Sequence, residues 1–173
     1  MAKGKNQFVG TAGQYYVCYE LARRGIHASL TIGNAPAVDI VAARADGSRS
    51  LSIQVKTSNS AYRRRRYGRE GCEWDVGAGA IGKHSATLWY ALVDLQASSG
   101  KPPRVFIVPS FWVSEFVLPT FSRKVFFLPA TAWELTEARW DRLVACLDDA
   151  AEVADFANHW PEERLVRWGV PRG

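Results

Sequence analysis

Ala37-Val-Asp-Ile-Val-Ala-Ala-Arg-Ala-Asp-Gly-Ser-Arg-Ser-Leu-Ser-Ile-Gln-Val-Lys-Thr-Ser58 is the stretch on which the fold turns. Two apolar, β-branched runs flank Asp46-Gly47, a dipeptide that supplies the positive φ values a tight hairpin needs. Strands are therefore expected over 37–44 and 50–57. Side chains alternate between the faces of a strand. Gln54 and Lys56 thus share one face with Ser52 and Ser58, while Ile53, Val55 and Thr57 share the other. Asp39 sits in an otherwise apolar strand, where a carboxylate is costly unless it is paired or bound to a metal. Asp39 and Lys56 both lie toward the end of the hairpin away from the turn.

Such a trio suits phosphodiester hydrolysis, which needs an activated water and stabilised charge on the phosphoryl oxygens. A carboxylate can hold Mg²⁺, an oxygen-seeking ion that keeps several of its waters. The ion acidifies a water and polarises the phosphoryl group, and a lysine offsets the developing negative charge. Gln54 contributes only a neutral carbonyl or an amide donor. The structural alternative is an Asp39–Lys56 ion pair in a half-buried sheet.

Outward from the hairpin, Val9, Gly13, Tyr16, Val17 and Leu21 recur at helical spacing and predict a helix over 7–24, with Asn6 as N-cap and Gly25 just beyond its end. Residues 26–32 alternate and predict a strand ending before Gly33-Asn34. Residues 59–85 lose periodicity and read as a long, mobile, basic loop. Strands are expected over 87–95 and 104–109, with Ser110 capping a short helix over 111–117. A helix is expected over 131–157, with Thr131 as its cap, and another short one from Pro161. The order points to one domain over 1–173, with a core at 6–117 and a helical extension at 130–173. The fold class is α/β or α+β.

The 173 residues carry a net charge of +5 and 47% apolar residues, as expected of a globular domain. Residues 1–66 hold eleven Lys/Arg against three acids, whereas residues 125–173 hold five against nine. The basic half suits a polyanion, or else the two halves attract each other. No segment approaches the roughly 18 apolar residues of a membrane span, and no apolar segment follows the basic N-terminus, so a cytoplasmic protein is expected. Cys18, Cys72 and Cys146 show no zinc-ligand spacing and read as free thiols.

Gly10-Thr-Ala-Gly13-Gln14-Tyr-Tyr-Val17, Glu20-Leu-Ala-Arg-Arg-Gly25, Val38-Asp39-Ile40 and Ile53-Gln54-Val55-Lys56-Thr57 together resemble the PD-(D/E)xK nuclease superfamily, in the branch with Gln before the lysine. The resemblance covers residues 6–58. It implies a restriction-endonuclease-like core, a mixed central β-sheet flanked by helices. It also implies Mg²⁺ or Mn²⁺ held by Asp39 and the backbone carbonyl of Val55, Lys56 as the catalytic lysine, and Gln54 in place of an acidic ligand. The family often has Glu where this chain has Gln14, which leaves Asp39 short of acidic company. Glu20 falls on the core-facing stripe of the helix and needs a partner. Lys56, a metal, Arg23 and Arg24 are the candidates.

Arg63, Arg64, Arg65 and Arg66 follow the lysine-bearing strand and suit phosphate contact, as does Lys83. The alternative is a solvated charge run. Tyr62 and Tyr67 bracket the run and could stack on bases. His27, His84 and His159 share no metal-ligand spacing. Trp133, Trp140, Trp160 and Trp168 suit helix packing, with a homodimer surface as the alternative. The expectation is a metal-dependent nuclease acting on DNA. Its alternative is a catalytically inactive nuclease-fold protein that binds nucleic acid or a protein partner.

Overall fold

The computed structural model describes residues 2–31, 38–119 and 123–148. The elements are α1 (Ala2–Ala22), β1 (His27–Leu30), β2 (Ile40–Ala43), β3 (Ser50–Ser58), β4 (Tyr62–Arg66), β5 (Arg69–Asp75), β6 (Leu88–Asp94), β7 (Arg104–Pro109), α2 (Ser110–Phe116), β8 (Val117–Pro119), β9 (Lys124–Pro129), α3 (Trp133–Thr136) and α4 (Trp140–Asp148). The expected mixed central sheet is present, in the order β1-β2-β3-β6-β7. All its pairings are antiparallel except β3 with β6. A second, antiparallel sheet runs β4-β5-β9-β8.

Alternation on β6 and β7 sorts the molecule into layers. Trp89, Ala91, Val93, Val105 and Ile107 join Val17 and Leu21 of α1 and Leu143 and Leu147 of α4 in one core. Tyr90, Leu92, Phe106 and Val108 point the other way and pack against Cys72, Trp74, Phe126 and Leu128 of the second sheet. Helices α1 and α4 therefore cover one face of the central sheet, and the second sheet, with α2 and α3, covers the other. Strands β6 and β7 lie between two cores, which is why their sequences are almost continuously apolar.

The end of α1 follows its sequence signal. Gly25 adopts φ 74°, its N–H donates to Ala22, and Ile26 N–H donates to Leu21 at 3.1 Å. This double closure satisfies the last carbonyls of the helix. The start differs, because Asn6 lies inside α1 rather than capping it. The Asp46-Gly47 turn closes as expected. Gly47 has φ 71°, and the Asp46 carboxylate accepts from Ser48 N–H at 2.9 Å. Arg44 at the base of this hairpin pairs with Asp148 at the end of α4.

Four further expectations are corrected. Residues 59–85 are not a long loop, since β4 and β5 form a hairpin there around Tyr67-Gly68, with φ values of 51° and 77°. Ser110 does not cap α2 with its side chain. Its hydroxyl instead donates to Ser85 O and accepts from Ser85 N–H, both at 3.0 Å, tying down the loop before β6. The helix expected over 131–157 is broken. Glu137 bridges to Phe106, its carboxylate takes Arg104 in two bonds of 2.7 Å, and Ala138 turns to φ 51°. Thr131 falls in a 3-10 turn rather than at a helix cap. Ile32 and Ala37 of the expected strands, the helix beyond residue 148, His159, Trp160, the helix from Pro161 and Trp168 all lie outside the described residues.

Candidate functional site

The β2–β3 ladder stops at the pair Ile40 and Ile53. Beyond it, Val55 N–H has no backbone acceptor on β2, and a buried donor needs one. The Asp39 carboxylate fills that place, accepting from Val55 N–H at 2.7 Å. Its other oxygen accepts from the Gln14 side-chain amide at 2.9 Å. Asp39 is fixed along its backbone too. Its N–H donates to Ile53 O at 3.0 Å, its carbonyl accepts from Thr31 N–H at 3.0 Å, and Thr31 Oγ1 donates to Val38 O at 2.7 Å.

Gln14 reaches Asp39 because α1 lies hard against β3. A Cβ on Gly13 would overlap the side chain of Thr57, so only glycine permits this approach. Gly10 has no such constraint. The glycine at 13 is thus what seats the helix on the strand.

Gln54 and Lys56 are half-buried on β3, on the face opposite Ile53 and Val55, as alternation predicted. The structural alternative of an Asp39–Lys56 ion pair is not formed. Lys56 makes no ion pair among the described residues. On β6, Tyr90 is the parallel partner of Gln54. It is 1% exposed, and its phenol is pushed up to about 12, first by burial and then by the Asp39 charge. It is therefore a neutral hydroxyl beside the Asp39 and Gln54 neighbourhood. Sequence reasoning missed it, since the parallel pairing of β3 with β6 has no local signal.

Glu20 is brought elsewhere. It is buried, and its carboxylate takes Arg24 at 2.5 Å and Arg23 at 3.3 Å. Arg24 lies over the Trp140 ring at 5.0 Å. Of the partners considered for Glu20, the arginines hold it, and the assembly ties α1 to α4. Trp140 is buried and Trp133 half-buried in the two cores, so both serve packing.

The arginine run is the ordered strand β4. Arg63 and Arg66 both bond the buried Glu73 carboxylate, at 2.9 and 3.2 Å. Arg64 and Arg65 are exposed. Tyr62 donates to Glu70 at 2.9 Å. Tyr67 lies under Arg66 at 5.0 Å and edge-on to Phe127 at 5.4 Å. Lys83 is exposed in the loop before β6, and His84 meets Phe111 edge-on at 5.3 Å.

The candidate oxygens for a metal are the Asp39 carboxylate, the side-chain carbonyls of Gln14 and Gln54 and the backbone carbonyl of Val55; of the two glutamines, Gln14 is the one hydrogen-bonded to Asp39. Among the described residues no three His, Cys, Asp or Glu converge as a metal cluster. An all-oxygen set with one carboxylate fits a hard ion that retains most of its waters and takes further ligands from substrate phosphates. It does not fit zinc, which seeks nitrogen and sulfur.

Fold and site together define a mixed α+β protein in which the Asp39 carboxylate takes up Val55 N–H where β2 and β3 part, on the strand that also carries Gln54 and Lys56. The chain is similar to the Holliday junction resolvase Hjc of Archaeoglobus fulgidus, with 19% identity and a TM-score of 0.42 over 73% of this chain and 88% of that one. No family profile matches the chain, and no curated protein matches it.

Proposed function

We propose that the protein is a divalent-metal-dependent nuclease that hydrolyses DNA phosphodiester bonds, of the PD-(D/E)xK kind with Gln54 before Lys56. The observation that carries this reading is the Asp39 carboxylate, held by Gln14 and by Val55 N–H beside the strand that bears Gln54 and Lys56. Asp39 would hold Mg²⁺ or Mn²⁺, with the Val55 carbonyl, and with Gln14 turning its amide oxygen inward. When bound, the ion lowers the pKa of a water and polarises the phosphoryl oxygen. Lys56, which has no carboxylate partner among the described residues, offsets charge that develops on the phosphoryl group. Gln54 orients substrate or water as a neutral donor or acceptor. DNA would be held by the basic surface of β4 and by Lys83, and two copies would serve two strands.

Plasmid cleavage in Mg²⁺ or Mn²⁺ tests the reading. Asp39→Asn and Lys56→Ala are each expected to abolish it. Cleavage that survives both substitutions overturns the assignment.

A second reading, a nuclease-fold protein that binds without cutting, is favoured by one observation. The side chain hydrogen-bonded to Asp39 is the amide of Gln14 rather than an acid, and no group of three His, Cys, Asp or Glu that could hold a metal occurs among the described residues. Calorimetry with Mn²⁺ separates the two, since tight binding lost in Asp39→Asn counts against the inactive form.

A further inference from the structure

The four arginines of β4 are chemically identical in sequence but not in the fold. The strand carries an extra residue between Arg63 and Arg66. Arg63 pairs with Gly71, whereas Arg66 pairs with Arg69. A bulge of this kind resets the alternation of faces. It turns Arg63 and Arg66 to the same side, where Glu73 receives both. Glu73 is 7% exposed, and a carboxylate so buried requires cationic partners. Arg63 also donates to Ser60 O and Tyr62 O, at 2.9 and 2.8 Å. These two arginines are committed to the protein.

Arg64 and Arg65 are left pointing outward. Neither makes an ion pair or hydrogen bond among the described residues, and both are exposed on an edge strand. Charge on a bulged edge does discourage pairing with other chains, but a single lysine would serve for that. Two adjacent guanidiniums can grip neighbouring phosphates. The aromatic side chains that could add base stacking are already engaged. Tyr62 is on Glu70, and Tyr67 is between Arg66 and Phe127.

We propose that β4 is a two-arginine phosphate contact, in which Arg64 and Arg65 bind the nucleic-acid backbone while Arg63 and Arg66, held on Glu73, shape the strand that presents them. The inference rests on the chain being a nucleic-acid-binding protein, but not on its cutting anything. Binding of this kind is insensitive to base sequence and steeply dependent on salt.

The test is a fluorescence-anisotropy titration of the full-length protein with a short labelled DNA duplex, in EDTA, across a series of KCl concentrations. Each lost phosphate contact flattens the plot of log affinity against log salt by about 0.9. Arg64→Gln and Arg65→Gln are each expected to do so, and the double variant by about 1.8. The double Lys variant, which keeps both charges, is expected to retain the wild-type slope. Arg63→Gln/Glu73→Gln, which removes Glu73 and one of the two arginines bonded to it, is expected not to flatten it. Circular dichroism melts identify any variant that has unfolded. The proposal is overturned if the wild type does not bind, if the Arg64→Gln/Arg65→Gln slope is unchanged, or if Arg63→Gln/Glu73→Gln flattens the slope equally. Salt-dependent binding by a wild type that never cleaves would overturn the nuclease reading and leave this one standing.

Discussion

Gly13 of α1 and Thr57 of β3 meet with no room for a side chain at position 13, where a Cβ would overlap Thr57 Oγ1 and crowd its Cγ2. Thr57 Oγ1 is itself buried without a hydrogen-bond partner among the described residues. Gly13→Ala is expected to cost about 1–3 kcal/mol, the usual range for overpacking. Thr57→Ala removes both the obstructing atoms and the unpartnered hydroxyl. The double variant should therefore lose less stability than Gly13→Ala alone. Urea denaturation of the three variants measures this, and an additive result would contradict the packing assigned here.

Asp39 carries a structural duty that can be separated from chemistry. Asp39→Ala leaves Val55 N–H without its acceptor and is expected to destabilise by about 1–3 kcal/mol. Asp39→Asn keeps an oxygen for Val55 N–H and should melt close to wild type while losing cleavage. Thermal melts of the two variants side by side show whether the distinction holds.

Gln14→Glu brings a second carboxylate to Asp39. Like charges at that distance raise the pKa of one member of the pair, so the variant should be less stable than wild type near neutral pH in EDTA. Mn²⁺ relieves the repulsion. A larger rise in melting temperature on adding Mn²⁺ than the wild type shows is the expected result.

Glu20→Gln removes a charged acceptor from Arg24 and Arg23. A loss of about 1.5–3 kcal/mol is expected from a hydrogen bond to a charged group, with no change in cleavage of DNA under conditions where the variant is folded. Loss of activity at full stability would instead place Glu20 in the chemistry.

Burial pushes the Cys72 thiol from 9.0 up to about 12 and, with Asp39, the Tyr90 phenol from 10.0 up to about 12. Both groups hold their protons longer folded than unfolded. Their contribution to stability is therefore complete below the unfolded values and is lost as pH rises through the window up to about 12. Melting temperature should fall progressively on the alkaline side of pH 9, and Cys72→Ala and Tyr90→Phe should each flatten that fall.

Local signals in the sequence carried the α1 ending at Gly25, the Asp46-Gly47 hairpin and the facing of Gln54 and Lys56. Each depends on residues close together in the chain. The β4–β5 hairpin was hidden because four arginines obscure alternation, the bulge between Arg63 and Arg66 shifts it, and the turn uses Tyr67 at φ 51°, where Asn or Asp is the usual sign. Strands β8 and β9 and the break at Glu137–Arg139 depend on distant partners, among them Arg104 and Phe106. At the candidate site, the positions of Asp39 and Lys56 toward the open end of the hairpin were legible from the turn and the strand alternation. The hold of Gln14 on Asp39 and the presence of Tyr90 were not, since both arise where α1 and β6 meet β3.

The Asp39 carboxylate completes a sheet by standing in for a missing backbone acceptor, and this bears on how mutational tolerance should be judged. Selection for folding alone would retain a side-chain oxygen at position 39, whether or not the protein cuts anything. Lys56 has no ion pair among the described residues to preserve. In a library randomised at both positions and sorted only for folded protein, position 39 should stay restricted to residues that can accept from Val55 N–H, while position 56 drifts. Restriction at 56 should return only when the sort demands cleavage, which makes the lysine, rather than the aspartate, the marker of a working enzyme.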